Sequence, residues 1–190
     1  MRNALLLASS IIIALSFLPY LIKTITKEVK PRVATWLTWS VVTGVGTAAA
    51  LSAHAYSSAV VTGASTLVTI SVLIFALRNG DRDYGWIDGI SQAISLIGLV
   101  IWQLSNDPAW AIAFAVLADF FGAVPTYYHA WIAPNEEAWH SFMVFSFGCL
   151  LSLVAIKHFD FISSAFPIYL TLNSFAISLV IILRQKKFKI

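Results

Sequence analysis

The chain has 190 residues, of which 59% are hydrophobic and only 11% are charged, and its mean hydropathy is +0.82. Soluble domains carry about 25% charged residues, so this composition excludes an ordinary soluble enzyme or nucleic-acid-binding domain. It indicates an integral membrane protein whose main surroundings are the lipid bilayer. The net charge of +3 is therefore interpreted as a guide to orientation and not as a nucleic-acid-binding surface.

Seven apolar stretches follow one another along the chain. A bilayer core of about 30 Å requires roughly 20 helical residues, and each stretch is near that length. They take up almost the whole sequence and leave no room for a separate soluble domain. We predict an all-α integral membrane protein with seven transmembrane helices, at about 4–22, 33–52, 58–77, 87–104, 109–129, 138–156 and 164–184.

Lysine and arginine are concentrated in alternate loops. One side carries the basic residues that follow the first, third and seventh stretches, whereas the other side has only Arg2 and Lys157. Short basic loops stay in the cytoplasm, so we expect the N-terminus outside and the C-terminus in the cytoplasm, in a bacterial inner membrane. The same charges argue against a cleaved signal peptide over 1–22. The basic side contains Lys23, Lys27, Lys30, Arg32, Arg78, Arg82, Arg184, Lys186, Lys187 and Lys189.

A short pattern occurs twice: a proline stands five residues before a tryptophan, and a hydroxyl residue follows two places later. An earlier proline precedes each copy within the preceding apolar stretch. This repetition predicts two three-helix units, 1–80 and 106–190, joined by a linker helix within 81–105. Because the linker itself crosses the membrane, the two repeats should be parallel. The first copy is Pro19, Pro31, Trp36 and Thr38, and the second is Pro125, Pro134, Trp139 and Ser141.

Two polar residues fall near the middle of their predicted helices. Asp119 lies about ten residues inside the fifth segment, and Asn173 lies at a similar depth in the seventh. A carboxyl group at the bilayer midplane costs about 2.5–3.5 kcal/mol, so it should face the bundle interior and is a functional candidate. Its structural alternative is a hydrogen-bonded carboxyl group. Asn173 is aligned with Thr66 of the third segment, although an asparagine there is equally compatible with interhelical bonding.

This arrangement of three helices, a linker helix and three helices resembles the SWEET and PQ-loop superfamily, which includes sugar and amino-acid transporters and the KDEL receptors. The stretch from Lys30 to Trp39 is also similar to one in short bacterial seven-helix proteins. The resemblance implies that Asn173 contacts substrate, and that four prolines form kinks that open and close the cytoplasmic side. Those prolines are Pro19, Pro31, Pro125 and Pro134.

The chain departs from the SWEET pattern in ways that concern specificity. Thr66 stands where the paired asparagine would be, the tryptophans lie closer to their prolines, and the Pro-Gln dipeptide is absent. We therefore expect a transporter for a small-molecule substrate such as a sugar, amino acid or vitamin, with a central site and alternating access. The expected site residues are Trp36, Thr38, Trp39, Thr66, Asp119, Trp139, Ser141 and Asn173.

The inner gate should involve opposite charges on the two proline loops. Lys30 and Arg32 flank the first proline, and Glu136 and Glu137 follow the second, so a salt bridge between these loops would close the inner side. Whether Asp119 carries a proton with the substrate, or only binds it, is left open by the sequence.

Other functions are also compatible with seven helices. A membrane receptor or assembly partner on the same fold is the main alternative, and a homo-oligomer is possible for either. The histidines lack metal-ligand spacing such as H-E-x-x-H, so we expect neither an enzyme nor a metal or other cofactor. The seventh segment has no lysine for a retinal Schiff base, and the single cysteine, Cys149, excludes an intramolecular disulfide.

Overall fold

The computed structural model describes residues 2–52, 56–105, 107–156 and 159–188, and this part of the chain is helical and without a β-strand. A 3-10 turn, Pro134–Glu136, precedes one of the helices, and an isolated bridge joins Arg32 and Asp81. The prediction of an all-α chain is confirmed. The helices are α1 Arg2–Ser16, α2 Leu18–Ile25, α3 Val33–Ser52, α4 Tyr56–Asn79, α5 Trp86–Leu104, α6 Pro108–Ile132, α7 Trp139–Val154 and α8 Phe161–Phe188.

Three helical stretches are long and apolar enough to cross a membrane by length and composition: Ala4–Ile25, Trp86–Leu104 and Ser164–Lys187. Two shorter apolar helical segments accompany them, Ser65–Asn79 within α4 and Trp139–Val154, which is α7. Large apolar side chains are widely exposed on the outside of the bundle, for example Leu67 at 69%. Such a surface is unfavourable in water and is typical of a protein surrounded by lipid.

The first predicted helix is divided in two. α1 ends at Ser16 and α2 begins at Leu18, with Phe17 between them. Pro19 was predicted to lie inside the first helix, remove a hydrogen bond and cause a kink. The break at Phe17 lies two residues before Pro19, and Pro19 occupies the first turn of α2. A proline ring clashes with the carbonyl group one turn earlier and so interrupts a helix on its N-terminal side. The interruption expected near Pro19 is therefore present, as a break between two helices.

Sequential helices form closely packed pairs, α3 with α4, α5 with α6, and α7 with α8. Further contacts connect the first and second halves of the chain: α1 packs on α7 and α3 packs on α6. Glycines allow both of these crossings to be close. A Cβ atom added at Gly122 of α6 would lie 2.8 Å from Thr38 Cγ2, and one added at Gly148 of α7 would lie 2.8 Å from Ile13 Cγ1.

Four aromatic side chains, which we call the aromatic layer, fill the centre of the bundle. They are buried to at least nine tenths. Phe17 meets the rings of Trp36 and Phe142 edge-to-face, with centroids 5.4 Å apart in each pair, and Tyr20 lies 5.1 Å from Trp36. Edge-to-face pairs add about 0.5–1.5 kcal/mol to the burial of each ring, so this layer joins α1, α2, α3 and α7 firmly. Its members are Phe17, Tyr20, Trp36 and Phe142.

Candidate functional site

A cavity of about 530 Å³ lies at the centre of the bundle, on one side of the aromatic layer. We call it the central cavity. Seven of the helices contribute to its wall, from both halves of the chain. Its lining residues are Ile13, Ala14, Phe17, Trp36, Trp39, Val42, Thr43, Gly46, Ser65, Val68, Thr69, Leu99, Trp102, Ile112, Ala115, Asp119, Phe142, Phe145, Cys149, Phe166, Leu170, Asn173 and Ser174.

Asp119 lies near the middle of α6 and contributes a carboxyl group to this largely apolar wall. The Tyr169 hydroxyl of α8 donates a hydrogen bond of 2.7 Å to Asp119 Oδ2. Within the described residues no lysine, arginine or histidine is paired with this carboxyl group. A buried acid without a basic partner is costly, which makes Asp119 the chemically most distinctive group of the cavity.

Asn173 of α8 is held by a second tyrosine. The Tyr127 hydroxyl lies 2.8 Å from Asn173 Oδ1 and 3.0 Å from its backbone oxygen. On the far side of Asn173, α6 and α8 form a more open groove that Tyr127 and Tyr169 also line. The two tyrosine hydrogen bonds therefore form the partition between the central cavity and this groove.

Hydroxyl groups of the cavity wall are mostly bonded within the protein. Thr43 Oγ1 donates to the Trp39 carbonyl at 2.8 Å and lies 3.2 Å from Thr69 Oγ1, and Thr69 Oγ1 also donates to the Thr66 carbonyl. The Trp39 indole Nε1 is different, because it is buried and has no acceptor among the described residues. The wall therefore offers few free polar groups to a ligand.

Beyond the aromatic layer, ionisable side chains gather at one end of the bundle, which we call the charged end. Arg32, immediately before α3, is buried and pairs with Asp88 of α5 through two contacts, of 3.0 and 2.6 Å, and also with Asp81. Burial alone would lower the pKa of Arg32, but these carboxylates raise it above the ordinary value. This set, which we call the ion-pair cluster, comprises Lys30, Arg32, Asp81, Asp88, His129, Glu136 and Glu137.

His129 of α6 stands at the centre of the ion-pair cluster. Its Nδ1 lies 2.9 Å from Glu137 Oε1, and its Nε2 lies 3.4 Å from Glu136 Oε2 and 3.5 Å from Asp81 Oδ2. Both ring nitrogens thus face carboxylates, which an imidazolium satisfies because both of its nitrogens donate. Glu137 also accepts a hydrogen bond of 2.6 Å from the Tyr20 hydroxyl, which connects the cluster to the aromatic layer.

The two proline loops are joined in the ion-pair cluster. Lys30 forms an ion pair with Glu136, and its backbone N–H donates to the Glu136 carbonyl at 2.8 Å. The predicted salt bridge between these loops is present, and Lys30 forms it with Glu136. The partners expected for Arg32 are wrong, because Arg32 pairs with Asp81 and Asp88 instead of Glu136 or Glu137.

The eight residues predicted for the substrate site divide into two groups. Trp36, Trp39, Asp119 and Asn173 line the central cavity. Thr38 instead bonds to the Ala34 carbonyl at 3.0 Å, and Thr66 lies 3.0 Å from Thr47 of α3. Trp139 stacks on His140, and buried Ser141 has no hydroxyl partner among the described residues. The structure therefore brings half of the predicted set together around one space.

The prolines predicted for the gate differ in their surroundings. Pro125 is buried inside α6, as expected for a kinking residue. Pro31 is buried two residues before α3, and its carbonyl accepts from the Asp81 N–H at 3.0 Å. Pro134 was expected at a helix start but opens the 3-10 turn five residues before α7. Pro19 is exposed, so it takes no part in the ion-pair cluster.

Sequence reasoning missed several residues of both sites. Tyr127 and Tyr169 lie at helical spacings from Asp119 and Asn173, so the face shared by these residues was a usable signal. Trp102 was not among the expected site residues, yet it contributes to the cavity wall. The roles of Asp81, Asp88 and His129 depend on which helix ends and loops meet, and local sequence contains no signal for that.

Comparison of the chain with protein-family models, with curated proteins and with solved structures finds no significant match.

Proposed function

We propose that this protein is a seven-helix membrane transporter that moves a small molecule through the central cavity by alternating access. The observation that carries the proposal is the placement of Asp119 and Asn173 in one cavity between the two halves of the chain. Transporters built from repeated units bind their substrates near the membrane midplane, at the interface between the units.

The pattern of helix contacts supports two equivalent units, α1 to α4 and α6 to α8. The last helix of each unit packs against the other helices of that unit. The two units also contact each other reciprocally. At the start of the first unit, α1 packs on α7 of the second unit, and at the start of the second unit, α6 packs on α3 of the first. This reciprocity is what a two-fold axis along the membrane normal produces, and α5 then serves as the linker, packed mainly on α6.

The ion-pair cluster and the aromatic layer support a gate at the cytoplasmic side. Lys30 and Glu136 connect the two proline loops, and Tyr20 and Glu137 connect the cluster with the layer. Together they close the central cavity toward the charged end. Alternating access requires that these contacts separate when the opposite side closes.

The proposal is tested by uptake in proteoliposomes with a panel of labelled sugars, amino acids, nucleosides and vitamins. We expect saturable uptake of at least one class, reduced by Asp119→Asn. Uptake with and without a pH gradient distinguishes proton coupling from uniport, since coupled uptake should lose its gradient dependence in Asp119→Asn. Binding of a solute without any uptake would instead favour the receptor function.

A further inference from the structure

The charge of the central cavity is of one sign only. Among the described residues that line it, Asp119 is the one ionisable acid or base other than the thiol of Cys149. Its carboxyl group receives a hydrogen bond from Tyr169, and no lysine, arginine or histidine is among the described residues that line the cavity. A carboxylate in such a place is stabilised by a ligand that brings a positive charge, and an anionic ligand would be repelled.

The polar groups of the wall are unsuited to a ligand rich in hydroxyl groups. Thr43 and Thr69 are bonded to each other and to backbone carbonyls. Asn173 Oδ1 accepts from Tyr127. A sugar needs many hydrogen-bond partners, and a polar group buried without one costs about 1–3 kcal/mol. Apart from the Trp39 indole N–H and the Asp119 carboxyl group, few partners remain here, so a sugar would lose more hydrogen bonds to water than it regained.

Aromatic rings make up much of the remaining wall. Trp36, Trp39, Phe142 and Phe145 line the cavity together with Phe166 and Trp102. Aromatic faces attract cations, and the attraction reaches about 2 kcal/mol or more when water is excluded. The same faces bury the apolar body of a ligand. The volume of about 530 Å³ is in the usual range for a small organic molecule, about 300–1,000 Å³.

We infer that the central cavity binds an organic monocation with a flat apolar body, such as a protonated aryl-alkylamine, and that Asp119 is its counter-ion. This inference rests on the proposed transport function, because it names the class of molecule that would be carried. Binding of such a cation is nevertheless measurable without transport. The ammonium group would lie against Asp119, and the apolar body against the tryptophans and phenylalanines that line the cavity.

The test compares isosteric ligands that differ only in charge. The full chain in lipid nanodiscs is titrated with protonated tryptamine, neutral tryptophol and anionic indole-3-acetate, and with the corresponding 2-phenylethyl compounds, and the shift in melting temperature is recorded. We expect each cation to bind at least about tenfold more tightly than its neutral isostere, a difference of about 1.4 kcal/mol. The anions and glucose should give no shift.

Three variants assign the preference to one carboxyl group. Asp119→Asn should remove the preference for the cation, whereas Asp119→Glu should retain it because the charge is kept. Asp83→Asn removes the same charge from an exposed loop position and should change nothing. Equal binding of cation and neutral isostere, or no shift with either cation, would overturn the inference.

Failure of this inference is distinguishable from failure of the proposed function. If both cations fail to bind while the proteoliposomes take up another solute, the protein is a transporter with a different substrate class. If a cation binds in the Asp119-dependent way but is not taken up, the ligand class stands and the transport function is wrong.

Discussion

Arg32 shows most clearly how single side chains determine the charged end. Its guanidinium is buried and contacts two carboxyl groups that are distant in sequence, Asp81 and Asp88. A buried ion pair contributes little compared with an apolar substitute, but removing one partner leaves the other charge buried and unpaired. The stability of this end should therefore be sensitive to the loss of either member alone.

Replacing Arg32 by methionine should lower the free energy of unfolding by about 3–5 kcal/mol, because Asp88 would lose its buried counter-charge. Lys30→Met removes the same charge from an exposed side chain paired with Glu136 and should cost much less than Arg32→Met, because water screens that pair. Denaturant unfolding in detergent measures both. The double variant Arg32→Met with Asp88→Leu should recover most of the loss, and a double variant no better than Arg32→Met would contradict this explanation.

Asp81 should make stability dependent on pH in the acid range. Burial by itself would raise its pKa, but the Asp83 N–H and the Arg32 guanidinium, with His129 nearby, hold the pKa of Asp81 below its ordinary value. Its contribution is complete above the unfolded pKa of about 3.9 and is lost as the pH falls through the lower folded value. Melting temperatures measured against pH should therefore fall less steeply below about pH 4 in Asp81→Asn than in the wild type. Identical slopes would be evidence against this assignment.

At the scale of helices, the crossing of α3 over α6 depends on Gly122. Alanine there would place Cβ 2.8 Å from Thr38 Cγ2, so we expect Gly122→Ala to cost about 1–3 kcal/mol through overpacking. Adding Thr38→Ser should recover much of this loss, because serine lacks the clashing methyl group. Thermal unfolding in detergent measures both variants.

Gly46 of α3 provides the matched control for Gly122. An added Cβ there meets nothing within 4 Å, and alanine is favoured over glycine in helices by about 1 kcal/mol. Gly46→Ala should therefore leave the melting temperature unchanged or raise it. A loss equal to that of Gly122→Ala would mean that backbone effects, and not the α3–α6 contact, determine the cost.

Pro125 and Pro19 should differ in their effect on transport. Pro125 lies inside α6 and cannot donate to the carbonyl one turn earlier, which bends a helix, whereas Pro19 lies in the first turn of α2. Pro125→Ala should slow uptake in proteoliposomes because it stiffens α6. Pro19→Ala should leave uptake near the wild-type rate and change stability by less than about 0.5 kcal/mol. Equal effects of the two substitutions would contradict the distinction.

Across the whole molecule, the sequence predicted the helices better than the contacts between them. The predicted apolar stretches 33–52 and 87–104 agree with the observed ends of α3 and α5 to within one residue, because the apolar composition changes sharply there. The break at Phe17 was indicated mainly by the nearby Pro19, since the apolar composition continues through this position. Asp119 and Asn173 were recognisable because polar groups in apolar helices are costly.

The partners of these groups could not be predicted from sequence. Asp88 meets Arg32 from 56 positions away, and Tyr20 reaches Glu137 over 117 positions. Such pairs depend on how whole helices pack, and nothing in the residues beside them distinguishes the correct partner from other carboxyl groups. The four predicted residues that line the central cavity share a simpler property, which is a position on the inward face of their helices.

Alternating access to the central cavity predicts how fast a cysteine in the cavity wall reacts with a reagent added from the charged end. In a Cys149→Ser background, Val42→Cys places a thiol in the cavity wall, and a membrane-impermeant thiol reagent is added to that side of oriented vesicles. Labelling should be slow with the gate intact. Glu137→Gln, which weakens the contacts to Tyr20 and His129, should accelerate it about tenfold, which corresponds to about 1.4 kcal/mol, while labelling from the opposite side slows. Rates unchanged on both sides would contradict alternating access.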